Sequence, residues 1–190
     1  MIDLRVTFNT LIVACALGYA TLLSAQEIEQ DPQALLNRLS TLTSEEDEGE
    51  AMRLAREIQE RWSHSGSAAM DLLLTRGMDA IDAEDFPKAL AHLTALTDHA
   101  PDFAEGWNQR ATLFFLQERY GEALSDIEQV LILEPRHFGA LSGLGIILEQ
   151  LGERDAALRA FRRAHQVYPA EPNVVNAVER LAQETGERSL

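Results

Sequence analysis

The chain of 190 residues has one cysteine, Cys15, and it lies in an apolar run near the N-terminus. A chain cut after that run keeps no thiol, so neither an intramolecular disulfide nor a thiolate zinc site can form in it. Basic residues are scarce too: 16 Lys and Arg stand against 31 Asp and Glu, a net charge of −15. That balance excludes nucleic acid as a partner, because phosphate recognition needs clustered cations. It speaks equally against an anionic lipid surface, and describes a soluble, self-repelling exterior to which a basic partner would be drawn. There is no Gly-rich phosphate loop. Gly143-Leu144-Gly145 falls inside a helical stretch, where the second glycine serves close packing. Of His64, His92, His99, His137 and His165, no two have the i, i+4 spacing of a helical metal pair. All five are expected to be exposed loop histidines. Ser65-Gly66-Ser67 reads as a turn between helices, not a serine nucleophile. The acids at Glu45 to Glu48 suit a helix N-terminus. Arg159, Arg162 and Arg163 form a solvated face on a second helix. No catalytic residue, metal or cofactor is expected, and the chain is not read as an enzyme.

What is present begins with an address. Asp3 and Arg5 precede an uncharged stretch from Leu11 to Leu23, then Ser24-Ala25-Gln26 and the polar Glu27-Ile28-Glu29-Gln30-Asp31. This is the layout of a secretory signal peptide, residues 1–25, with cleavage after Ala25. Cleavage after Ala20 is the alternative. Two other readings stand beside export: Val6 to Leu23 retained as a membrane anchor, or Ile12-Val13-Ala14-Cys15 acting as a lipobox. Cleavage would remove one acid and one base, leave the net charge unchanged, and leave no stable membrane association.

The fold follows from a period. Pro101, Pro135 and Pro169 are 34 residues apart. The same spacing relates Ala89, Ala123 and Ala157; Gly77, Ala111 and Gly145; Leu73, Trp107 and Leu141; Leu93, Ile127 and Phe161; and Leu96, Val130 and Ala164. Six ladders in one register mark an internal repeat. Within each unit two helical stretches flank a turn, as in Gly139 to Leu151 and Arg154 to Val167 around Gly152-Glu153. Small residues are required where two antiparallel helices cross closely. Proline ends the second helix, since the residue before it leaves the α region. No unit can bury its apolar stripe alone, so neighbours stack.

This pattern resembles the tetratricopeptide repeat. Its large, small, small, bulky and proline positions are Trp107, Ala111, Ala123, Ile127 and Pro135 in the second unit. The resemblance implies an all-α solenoid, a right-handed superhelix of helix-turn-helix units with a concave face. Three repeats (70–103, 104–137 and 138–169) occupy residues 68–169. Residues 26–67 form a preceding helical pair, about Pro32 to Leu42 with Asp31 as N-cap and Glu45 to Trp62 capped by Ser44. This pair is read as a degenerate leading repeat or a cap. Residues 170–190 supply a capping helix, about Glu171 to Thr185, and a frayed tail.

In this family the first helices usually line the ligand groove. That implies Asp71, Leu74, Met78 and Asp82 from the first repeat, with Glu105, Asn108, Thr112 and Phe115 from the second. Ser142, Ile146 and Glu149 come from the third. Burial of Leu74, Ile81 and Leu116 by adjacent repeats is the competing reading. Members that grip a chaperone tail use Lys, Asn and Arg at groove positions which here carry Leu74, Met78, Gln109, Gly139 and Gly143, so that clamp is absent. The segments Trp62 to Leu73 and Leu96 to Trp107 also resemble exported tetratricopeptide proteins of α-proteobacteria. The function expected is a non-catalytic periplasmic scaffold that binds a protein or peptide with apolar anchors and basic character, with a part in envelope integrity. The alternative is a membrane-anchored or lipidated assembly factor of a secretion or envelope machine.

Overall fold

The computed structural model describes residues 32–186. The expected signal sequence, Cys15, Asp31 and the last four residues lie outside this range. Among the described residues all regular structure is helical. The N-terminal pair is α1 (Pro32–Leu39), a 3-10 turn (Glu45–Asp47) and α2 (Glu48–Trp62). Three helix pairs follow: α3 (Ala68–Asp82) with α4 (Phe86–His99), α5 (Ala104–Leu116) with α6 (Tyr120–Leu133), and α7 (Phe138–Gln150) with α8 (Arg154–Val167). The chain closes on α9 (Pro172–Glu184). The expected all-helical solenoid is therefore present. α1 ends earlier than expected, where Ser40 and Thr41 turn their hydroxyls back onto the carbonyls of Asn37 and Arg38. Such side-chain bonds compete with helix continuation. The second helix also starts later than Glu45, because Ser44 to Asp47 close a turn in which the Ser44 hydroxyl and N–H donate to the Asp47 carboxylate.

The 34-residue period has a direct packing cause. A Cβ placed on Gly77 would come within 2.6 Å of the Leu93 side chain, and one on Gly145 within 2.7 Å of the Phe161 ring. Each first helix thus offers a small residue to the bulky residue of its partner helix, and Ala111 and Ile127 share a core cluster in the same way. The turns inside the pairs repeat as well. Glu84, Glu118 and Gly152, one per pair and 34 apart, all have left-handed backbone, with φ of 56°, 58° and 80°. Behind each, the next residue's N–H returns to a carbonyl five back: Asp85 to Ala80, Arg119 to Phe114 and Glu153 to Leu148, at 2.8–2.9 Å. This is the Schellman closure of a helix C-terminus, for which glycine is the unstrained residue. Only the third repeat has it.

The first helices of consecutive pairs also touch one another, α3 with α5 and α5 with α7, while the second helices do so far less. The first helices therefore lie on the inside of the curve. The N-terminal pair does not stack on α3, as a leading repeat would. Leu36, Leu39, Leu54 and Ile58, all fully buried, belong to one core with Phe138, Leu158, Phe161 and Leu181 of α7, α8 and α9. A hydrogen bond from Arg136 to Asn37 (2.6 Å) fastens the same contact.

Two substitutions separate these causes. Gly145→Val should destabilise the protein by about 1–3 kcal/mol through overpacking against Phe161. Glu118→Gly should stabilise it by about 1 kcal/mol by relieving a left-handed residue with a Cβ. Midpoints of urea unfolding read both.

Candidate functional site

The inner face divides the predicted groove residues into three groups. Leu74 is not on the surface: at 3% exposure it packs with Ala80, Leu93, Leu96 and Leu113. The competing reading holds for it, because α5 closes over that face of α3. Glu105 is also buried. Asp71 is partly covered and spoken for, since the Ser65 hydroxyl and N–H donate to its Oδ1 at 2.6 and 2.7 Å. Those bonds hold the Asp71 carboxyl below the usual carboxylate range. They also close the Ser65-Gly66-Ser67 turn, where Gly66 has φ 81°. Met78, Asp82 and Thr112 are exposed, as is Leu116.

Asn108, Thr112, Phe115, Ser142 and Ile146 come together. They surround a small, mainly apolar cavity of about 240 Å³ between α5 and α7, with Ala111, Ile127, Gly143 and Ile147 at its base. A second, larger cleft of about 720 Å³ shares Gly139, Ser142 and Ile146 with the first. Its walls are α7, the start of α9, and α2 through Met52, Ala55, Arg56 and Gln59. Glu149 sits at its edge, bound in a fork by Arg180 of α9 (2.6 and 2.9 Å).

His137 corrects the expectation of exposed loop histidines. It is 3% exposed. Its Nδ1 accepts the Ala140 N–H at 3.1 Å, capping α7. The proton therefore resides on Nε2, which donates to Glu105 Oε2 at 3.1 Å. The imidazole stacks on Trp62, with ring centres 4.2 Å apart and planes 14° apart. The Glu105 carboxylate accepts further bonds from Asn108 and Gln109. One buried node thus joins α2, α5 and α7. Of the other histidines, His64 and His99 are exposed, while His92 and His165 are half-buried on α4 and α8. Burial pushes the His165 imidazole down.

A second polar node joins residues that no sequence spacing links. Arg110 forks the buried Asp126 (2.7 and 2.9 Å) and reaches the Thr97 hydroxyl (2.7 Å), tying α4, α5 and α6 together. The available signal was an acid at position 126 on the buried stripe of Ala123, Ile127 and Val130. Among the described residues, no group of three or more His, Cys, Asp or Glu is placed to hold a metal ion. No described helix is long and apolar enough to cross a membrane.

The family model of the tetratricopeptide repeat matches residues 74–132 and 109–172, which together span just over half of the chain. The chain belongs to the tetratricopeptide repeat family. A TPR repeat-containing protein of Rhizobium etli is 42% identical over 153 residues, covering 80% of this chain and 75% of that one. Among solved structures, the first TPR of Spaghetti (RPAP3) bound to an HSP90 peptide superposes with a TM-score of 0.60 at 19% identity. It covers 64% of this chain and 96% of that one. MamA does so with 0.58 at 17% identity, over 74% of this chain and 80% of that one. These two likenesses establish the fold. Tetratricopeptide repeat domains are generally non-catalytic and typically mediate protein–protein interaction.

The Trp62 node yields a prediction. Trp62→Ala should cost about 3–5 kcal/mol in docking of the N-terminal pair. Hydrogen exchange should then show amides of α2 losing protection while α5 and α6 keep theirs. The Ser65 turn yields another. Because the folded Asp71 value lies below the unfolded one, its stabilisation is present at neutral pH and disappears as pH falls through the folded value. Ser65→Ala should move the Asp71 carboxyl titration upward, as followed by NMR.

Proposed function

We propose that this tetratricopeptide repeat protein is a periplasmic scaffold that binds a protein or peptide partner on the inner face of its second and third repeats. The observation that carries the reading is the apolar cavity between α5 and α7, open beside Phe115 and Ile146. An internal packing defect would be closed, and this one opens onto the face that the family uses for interaction. The rim offers the polar groups of Asn108, Thr112 and Ser142, enough to orient a bound chain. The chain's charge of −15 favours a partner with basic residues.

Spaghetti's first TPR holds an HSP90 peptide, and the TPR2B domain of yeast Sti1 forms a complex with Hsp70. The residues at the carboxylate-gripping positions differ here. Leu74 is buried, and Gly139 and Gly143 carry no side chain at all. The ligand of this groove is accordingly anchored by apolar contact, not by a terminal carboxylate. Export through residues 1–25 belongs to the same proposal, supported by the uncharged run from Leu11 to Leu23 before Ser24-Ala25, and a part in envelope integrity is proposed from the resemblance to exported tetratricopeptide proteins.

Two measurements test the reading. Affinity capture from periplasmic extract with the wild type and with Phe115→Asp should show partners retained by the first and lost by the second; equal capture refutes the groove. The intact mass of the protein from its native host should correspond to a chain beginning at Gln26 without lipid. A retained N-terminus or a lipid on Cys15 would favour the anchored assembly factor.

A further inference from the structure

Gly77 and Gly145 are dictated by packing, but Gly139 and Gly143 are not. A Cβ on Gly143 would meet only the Ile127 side chain, at 3.7 Å, and one on Gly139 only the His137 ring, at 3.4 Å. Both are ordinary contact distances, and neither residue has a positive φ. Glycine within a helix is unfavourable when nothing demands it. One repeat earlier the equivalent positions carry Glu105 and Gln109, which bond to each other at 2.6 Å and fill that stretch of the inner face. Two repeats earlier they carry Asp71 and Thr75. The third repeat alone is bare there. The bare strip is where the cavity beside Phe115 and the cleft beside α2 run together, since Gly139, Ser142 and Ile146 line both.

Three helices turn matching stripes onto this space. α2 contributes Met52, Ala55 and Gln59; α7 contributes Gly139, Ser142, Ile146 and Glu149; α9 contributes Val174 and Ala177. The α2 and α7 stripes step by three and four residues, the spacing by which one helix packs on another, and Val174 and Ala177 are an i, i+3 pair. Met52 and Ile146 stand 48% and 42% exposed, on opposite walls. The surface continues an interface that already accepts a helix, for α2 itself joins the third-repeat core through Leu54, Ile58 and Trp62.

We propose that the cleft is a composite docking site in which α2, outside the repeats, forms one wall. Its occupant is an amphipathic helix of a partner protein. The helix lies along α2, α7 and α9 and sends one bulky apolar side chain over Gly143 into the cavity beside Phe115. With Glu149 neutralised by Arg180, the remaining rim charges are Glu48, Glu171 and Arg56, so basic residues suit the occupant's polar face. This rests on the groove reading above and adds to it both a helical ligand and a part for α2.

The test uses two fluorescein-labelled 16-residue peptides made of the same Leu, Lys, Ala and Gln residues. One has leucines at helical spacing and the other alternates them. Anisotropy with the chain lacking residues 1–25, the proposed mature form, should show the helical pattern binding about tenfold or more tighter. Met52→Asp and Gly143→Leu should each weaken it by a similar factor. Met52 is a surface position, so its variant should keep the wild-type melting temperature even if Gly143→Leu does not. A benzophenone at position 52 and another at 146 should label peptide residues three, four or seven apart. Equal or tighter binding of the alternating peptide, absence of binding by both, or indifference to Met52→Asp overturns the proposal. In the capture assay, partners lost with Phe115→Asp but kept with Met52→Asp defeat the composite site and leave the groove reading standing. Partners kept with Phe115→Asp defeat the groove itself.

Discussion

The close crossing inside each helix pair governs everything built upon it. Where Gly77 meets Leu93 and Gly145 meets Phe161, the bulky side chain lies against backbone. That contact sets the separation of the two helices and the depth at which the bulky residue sits. The paired helices then present an apolar edge that only another pair can cover, which is why the units must stack. Stacking puts the first helices in mutual contact on the inside of the curve. The inner face is thus a by-product of a constraint that operates on a different face of each first helix, the one turned to its partner. This separation of duties lets the inner residues vary while the array keeps its shape.

The polar nodes do a different kind of work. Apolar stacking is non-directional and tolerates sliding, whereas a buried carboxylate must have its partners in place. Arg110 with Asp126 and Thr97 fixes the first repeat against the second. Glu105 with His137, the cap of α7, fixes α5 against the start of α7, and Trp62 stacked on His137 brings the N-terminal pair into the same register. The placement of that pair follows from this node. The linker from Ser63 to Ser67 lets the chain begin its first repeat while Trp62 stays at the start of α7, and the apolar stripe of α2 then finds the third-repeat core instead of α3.

The legible part of the fold is the part repeated three times. A spacing of 34 shared by six ladders reports packing directly, and the helix pairs, their crossings and their turns lie where it puts them. The unrepeated features were opaque. Leu36, Leu54 and Trp62 show helical spacing but say nothing about which surface they cover, because any apolar stripe would satisfy them. His137 looked like a loop residue since it stands two positions after Pro135; its burial depends on Trp62 and Glu105, 75 and 32 residues away in sequence. Asp126 was hidden for the same reason, its partner being Arg110 on the neighbouring helix. For Leu74 a place on a first helix allows either groove or core, and packing against Leu93 and Leu113 decides for the core.

The departures from the period are therefore as informative as the period. A position that holds the same kind of residue through all three repeats answers to packing that is itself repeated. A position that changes is answering to something found in only one unit. Position 137 departs because Trp62 lies on it. Positions 105, 139 and 71 share one place in the repeat and do three different things. Glu105 is consumed by His137, Asp71 by the Ser65 turn, and Gly139 by neither. At this one place the first two repeats spend a carboxylate on holding local structure together, while the third is bare and has α2 opposite. The bare strip of the third repeat thus lies beside α2 and α9, helices of the described chain that lie outside the repeats.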